Sequence, residues 1–188
     1  MASEEYKKVI VVNGSPRKGN TEWMLGKLVE VLEDKGVQAK TIFLRKLNIQ
    51  FCTGCLACEA GGVNRKGVCK LDDYMNSIYP ELLKADGCIM GTPVYFEMIS
   101  GLLKNFMDRT CPIWPGLVGK KMCGVAVAEE GIGKAIDNLK TYARVCQMQY
   151  VGSVTTLAKT PRQTSRDIKL AKKLEHLAGK FVIALNEA

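Results

Sequence analysis

The feature that most constrains this chain is the junction at residues 7–21, where KKVIVVN runs directly into GSPRKGNT. A short β-branched run of this kind is a buried strand, and the turn Asn13-Gly14-Ser15-Pro16 ends it. Met24, Leu25, Leu28, Val31 and Leu32 then recur at helical spacing, with Gly36 placed as a C-terminal stop. A loop that leads from a strand into a helix N-terminus faces free backbone N–H groups and the positive end of the helix dipole. Residues 13–21 are therefore an anion site by position.

The rest of the chain repeats the alternation. Strands are expected at 38–44, 86–91, 121–128 and 150–157, and helices at 72–84, 99–109, 133–147 and 164–186. Five strands alternating with helices predict a doubly wound parallel sheet covered on both faces, because right-handed crossovers place helices on each side. With 188 residues and 47% hydrophobic residues, the chain suits one domain spanning 1–188. The rhythm breaks only at 46–70, a cysteine-rich stretch without periodicity that reads as a loop insertion. No apolar run approaches a membrane span and the N-terminus lacks signal-peptide character, so a soluble, cytoplasmic protein is expected.

The loop spacing approaches that of a nucleoside-triphosphate loop, but Asn20 stands where the lysine for the terminal phosphates would be. With two glycines only, Gly14 and Gly19, it is not a dinucleotide fingerprint either. A monophosphate fits, held by hydrogen bonds from Ser15, Asn20 and Thr21 and by the charges of Arg17 and Lys18. An ordinary turn with Asn20 as helix cap is the structural alternative. In open α/β sheets the ligand lies beyond the C-terminal strand ends. The turn at 91–97, with Tyr95 and Phe96, and the loop at 128–133, with Glu129 and Glu130, would then supply walls for a flat ring.

The eight cysteines fall into two groups. Cys88 and Cys123 sit in apolar strands, where a thiol behaves as a small hydrophobe; Cys111 and Cys146 are likewise dispersed. Cys52, Cys55, Cys58 and Cys69 lie in the irregular stretch. Three thiolates within seven residues suit a 4Fe-4S cube better than zinc, whose ligands usually come as separated pairs; redox-active thiols are the third alternative. A reducing compartment argues against structural disulfides. His176, the one histidine, reads as a solvated helix residue and supports no catalytic triad. The net charge of +8 is spread along the chain, with no nucleic-acid module.

These residues resemble the iron–sulfur flavoprotein and NAD(P)H-dependent FMN reductase group. The resemblance is carried by 14–21, by Thr92-Pro93-Val94-Tyr95-Phe96, by Ser100-Gly101-Leu102-Leu103-Lys104 and by Asp108-Arg109. It implies a flavodoxin-like fold with strand order 2-1-3-4-5. It also implies FMN as cofactor, with its phosphate on Ser15, Arg17, Lys18, Gly19, Asn20 and Thr21. The isoalloxazine edge would lie along Thr92, Pro93, Val94, Tyr95, Phe96 and Glu97, with Glu129 nearby, although the third loop is less Gly-rich than the family's.

The segment Cys52-x2-Cys55-x2-Cys58-x10-Cys69, followed by Asp72-Asp73, is similar to the compact cluster motif of iron–sulfur flavoproteins, with a longer last gap. A 4Fe-4S cluster on Cys52, Cys55, Cys58 and Cys69 would pass electrons between FMN and a ferredoxin-like carrier. The alternative is a cluster-free NAD(P)H-dependent FMN or quinone reductase. Cofactors carry the chemistry in both, so no catalytic side chain is assigned. The resemblance also implies a homodimer or homotetramer, with 46–70 expected at the subunit contact.

Overall fold

Apolar residues on both sides of the central strands decide the architecture. Along β1 (Lys8–Asn13), Val9 and Val11 belong to one core and Ile10 and Val12 to another, and all four are buried. A strand of this kind needs cover on both faces. The computed structural model describes residues 6–59 and 69–187 and shows that cover. Val9 and Val11 pack with Met24, Leu28 and Leu32 of α1 (Asn20–Asp34) and with Leu174 and Phe181 of α5 (Ile168–Asn186). Ile10 and Val12 pack with side chains of α2 (Met75–Lys84), α3 (Gly101–Arg109) and α4 (Ala135–Val145). Each fully buried leucine contributes about 1.5–3 kcal/mol.

The parallel strands run in the order β2 (Gln38–Phe43), β1, β3 (Gly87–Tyr95), β5 (Lys121–Ala128), β6 (Gln149–Leu157). Counting the parallel strands alone, this is the expected order. A sixth strand, β4 (Met98–Ile99), adds an antiparallel step on the end of β3. After β1 the chain turns to one face and after β3 to the other, so the topological switch point lies between them.

Two differences from expectation concern the site. The residues read as a turn from 91 onward instead continue β3, with Thr92 and Pro93 opposite Ala126 and Val127. Pro93 is tolerated because β1 has already ended, its last partner on β3 being Gly91. In addition, α2 begins at Met75 rather than at Asp72, because the Asp73 carboxylate accepts the Met75 N–H and holds the preceding chain out of the helix. Cys88, Cys123 and Cys146 are core residues, and burial pushes the Cys88 thiol up to about 12. His176 is exposed on α5. Among the described residues, no helix is long and apolar enough to cross a membrane.

Candidate functional site

The loop after β1 is built by backbone. Asn13 is fully buried; its Oδ1 accepts the Ser15 N–H at 2.9 Å, which bends the chain away from the sheet. The Gly14 N–H donates to the Gly91 carbonyl at 2.8 Å, and the Gly14 carbonyl accepts from Ser100 Oγ at 2.6 Å. This close approach requires glycine: a Cβ on Gly14 would lie 2.7 Å from Leu103 Cβ. Ser15 turns its hydroxyl onto the Arg17 carbonyl at 2.8 Å, leaving Arg17 and Lys18 exposed. Gly19 is the N-cap of α1, and among the described residues no side chain caps that helix, so its first N–H groups face the loop. Asn13 Nδ2 is also buried without a partner among the described residues. An unpartnered buried donor beside an uncapped helix start is what an anion or ordered water satisfies.

Not every predicted residue points to this loop. Asn20 neither caps α1 nor faces the loop alone: its Nδ2 donates to the Thr160 carbonyl at 2.9 Å, and its Oδ1 accepts from the Thr164 N–H and hydroxyl. It ties the start of α1 to the segment that follows β6. Thr21 is buried. The Thr92 hydroxyl is likewise engaged, accepting from the Ser100 N–H at 2.9 Å and donating to the Pro93 carbonyl.

Beyond Gly91, β3 projects past the end of β1 as far as Tyr95, a shelf of roughly 13 Å at 3.3 Å per residue. At its tip Phe96 and Glu97 have φ of 47° and 63°. Two successive left-handed residues make a type I′ turn, normally Asn-Gly, so Phe and Glu here store strain. The turn is braced from behind, because the Glu97 carbonyl accepts the Lys134 N–H at 2.6 Å and a Cβ on Gly133 would collide with Glu97. Phe96 is fully exposed, with Tyr95 and Met98 exposed beside it. Glu129 is exposed in the neighbouring loop.

The second locus is a cavity at the far end of α3, onto which Cys52, Cys55, Cys58 and Cys69 all open. Cys111, from the 3-10 turn Cys111–Leu117, joins them. Its position in the sequence gave no sign of this, since only the tertiary fold brings it to a loop some fifty residues earlier. Cys58 Sγ lies 3.7 Å from Cys111 Sγ. Among the described residues no three His, Cys, Asp or Glu side chains stand close enough to hold one metal ion. The donors are of the right kind for an iron–sulfur cluster, but they are gathered around the cavity rather than drawn to one centre. Residues 60–68 of the expected insertion lie outside the described residues.

A buried ion pair anchors this cavity. Arg109 Nη1 and Nη2 grip both oxygens of Asp73 at 2.6 and 3.1 Å, with side-chain exposures of 1% and 2%. Arg109 also donates to the Gln50 carbonyl, and Asp73 accepts the Gln50 and Met75 N–H groups. Burial pushes the Asp73 carboxyl upward, but Arg109 and the two backbone donors outweigh it and hold the group below its ordinary value. Tyr79, raised by burial, donates to the Arg109 carbonyl at 2.7 Å. At exposed Cys55 the Ala57 backbone, the Thr53 hydroxyl and then Lys70 lower the thiol. The two loci meet through α3: Ser100 caps its N-terminus on Leu103 and bonds Gly14, while Arg109 ends it at the cavity. Its nine residues span about 13 Å.

A doubly wound sheet with a backbone-built candidate anion loop at its switch point defines a flavodoxin-like protein. The apo form of an NADH:FMN oxidoreductase superposes with a TM-score of 0.72 at 21% identity, covering 97% of this chain and 91% of that one. Residues 7–163 match the model of the NADPH-dependent FMN reductase family, and the chain belongs to that family. An iron-sulfur flavoprotein of Clostridioides difficile is 30% identical over 185 residues, 95% of this chain and 80% of its own. One from Methanocaldococcus jannaschii is 34% identical over 122 residues, 64% of this chain and 61% of its own. With 48% of an Archaeoglobus fulgidus iron-sulfur flavoprotein covered, the chain spans about half to three-fifths of several curated relatives.

Proposed function

We propose that the chain is an FMN-dependent oxidoreductase in which a 4Fe-4S cluster on Cys52, Cys55, Cys58 and Cys69 exchanges electrons with the flavin and with a ferredoxin-like carrier. The observation that carries this reading is the convergence of the four thiols on one cavity at the end of α3, whose other end bonds the anion loop. Family membership and the names of the relatives support FMN. The uncapped start of α1 and the unpartnered Asn13 Nδ2 suit its phosphate, with Ser15, Arg17, Lys18, Gly19, Asn20 and Thr21 around it. Asn20 would contribute mainly by fixing the helix start. The shelf 92–97, with Glu129 opposite, would hold the ring edge. Bound there, FMN supplies a centre that accepts one or two electrons.

The protein's own part is positional. The backbone of 14–19 binds and orients the phosphate, Ser100 holds Gly14 in place, and the Phe96 turn with Tyr95 keeps water from one side of the ring. The Arg109–Asp73 pair fixes the chain on either side of the thiols. The +8 charge favours an acidic carrier. We read 1–188 as one domain with 46–70 as an insertion, in a cytoplasmic homodimer or homotetramer whose contact includes 46–70; Phe51, 76% exposed, supports that contact.

A second reading, the cluster-free NAD(P)H-dependent FMN or quinone reductase, is favoured by the match of residues 7–163 to the NADPH-dependent FMN reductase family. One anaerobic sample separates the two. Iron and sulfide in fixed ratio to flavin, with absorbance beyond the flavin bands, is expected from the first; flavin alone, bleached rapidly by NADPH or NADH, establishes the second. Sedimentation as a monomer would remove the subunit contact.

A further inference from the structure

Cys58 and Cys111 come from segments 53 positions apart, yet their sulfurs lie 3.7 Å from each other, at van der Waals contact. Both are partly exposed and open on the same cavity, so small oxidants reach them. We propose that Cys58 and Cys111 are a reversible disulfide site. A disulfide needs a sulfur–sulfur distance near 2.05 Å, so the pair must close by roughly 1.7 Å. Cys58 sits in the short 3-10 turn Ala57–Glu59, which belongs to neither the sheet nor its covering helices. Cys111 opens the 3-10 turn Cys111–Leu117, two residues after the buried Arg109 that ends α3. Its Sγ also donates to Glu59 Oε1 at 3.9 Å, a second contact between the same two turns.

A peroxide supplies the oxidant. One thiol attacks the peroxide oxygen, forming a sulfenic acid and releasing water; the second thiol attacks the sulfenic sulfur, forming the S–S bond and releasing a second water. Two thiols are oxidised by two electrons and hydrogen peroxide is reduced to two waters. In a reducing compartment such a bond is transient, and a dithiol reverses it.

The consequence rests on the cluster reading given above: a Cys58 bonded to Cys111 is withdrawn from the set Cys52, Cys55, Cys58 and Cys69. Disulfide and cluster then exclude one another, and the bond reports peroxide by blocking cluster loading.

The test uses the full-length chain, freed of metal and reduced, then treated with one equivalent of hydrogen peroxide. Thiols are alkylated, and the tryptic peptides are separated with and without dithiothreitol. Tryptic peptides 47–65 and 110–120 joined by a bridge that fragmentation places on Cys58 and Cys111, lost on reduction and absent from Cys58→Ser and from Cys111→Ser, are the expected result. Full alkylation of both residues after peroxide, or a bond confined to Cys52, Cys55 or Cys69, overturns the proposal. Because the wild-type map stands alone, a variant that misfolds does not obscure the outcome. Iron and sulfide uptake is then measured on the oxidised and the reduced chain. No uptake by the reduced chain ends the cluster reading and leaves the disulfide standing; equal uptake by both ends the exclusion.

Discussion

The anion loop and the thiol cavity are built in opposite ways. The loop takes its chemistry from nine consecutive residues and largely from their backbone: the Gly14 bonds to Gly91 and Ser100, and the open start of α1. The cavity takes its chemistry from side chains on three separate stretches, 52–58, 69–71 and 108–112, held by one buried ion pair. Backbone sites survive most side-chain changes but not a change of shape. The cavity should fail when a single charge is lost.

The largest effect is therefore expected at Asp73. Asp73→Asn leaves Arg109 buried with no countercharge and should cost about 3–5 kcal/mol in chemical denaturation. Faster alkylation of Cys69 with little change in FMN affinity would mark the two regions as separable; equal loss at both would erase the distinction. The same pair sets an acid limit. The folded carboxyl titrates below its ordinary 3.8, so its contribution is complete above about pH 4. It is lost as pH falls through the lowered value, and Asp73→Asn should flatten that part of the stability profile.

Next comes Gly14→Ala, whose new methyl meets Leu103 and the Gly91 carbonyl. A loss of about 1–3 kcal/mol is expected, together with weaker FMN binding and unchanged alkylation of the cavity thiols. Replacing Phe96 and Glu97 by Asn and Gly should act in the opposite direction, stabilising by about 1–2 kcal/mol through relief of two left-handed residues. A turn without stored strain would show no gain. The smallest effect belongs to Arg17→Ala: its charge is exposed, so FMN affinity should fall only a few-fold, less at high salt, with stability unchanged.

Much of the fold was legible because the central strands β1, β3 and β5 are buried on both faces and read as largely apolar runs. The parallel order and the helices followed, and α1 ran from 20 to 34 as its stripe of Met24, Leu28 and Leu32 required. The strand-to-helix turn at 13–20 was legible for the same reason: its parts are adjacent in the chain. Extension of β3 to Tyr95 was not, because whether Thr92 and Pro93 form strand or turn depends on β5 alongside them. Nor was the role of Asn20, whose partners at 160 and 164 lie 140 and 144 positions further along the chain. Cys111 illustrates the limit most plainly. Spacing could group Cys52, Cys55 and Cys58, but a thiol that arrives from the end of another helix carries no local signature.

Helix α3 is pinned at both ends, by the Ser100 hydroxyl on Gly14 and by the Arg109 guanidinium on Asp73. A nine-residue helix has little stability of its own and owes its persistence to such fastenings. What the two fastenings govern is the opening of this one segment: its amide hydrogens should exchange with solvent as a single unit, faster once either fastening is removed.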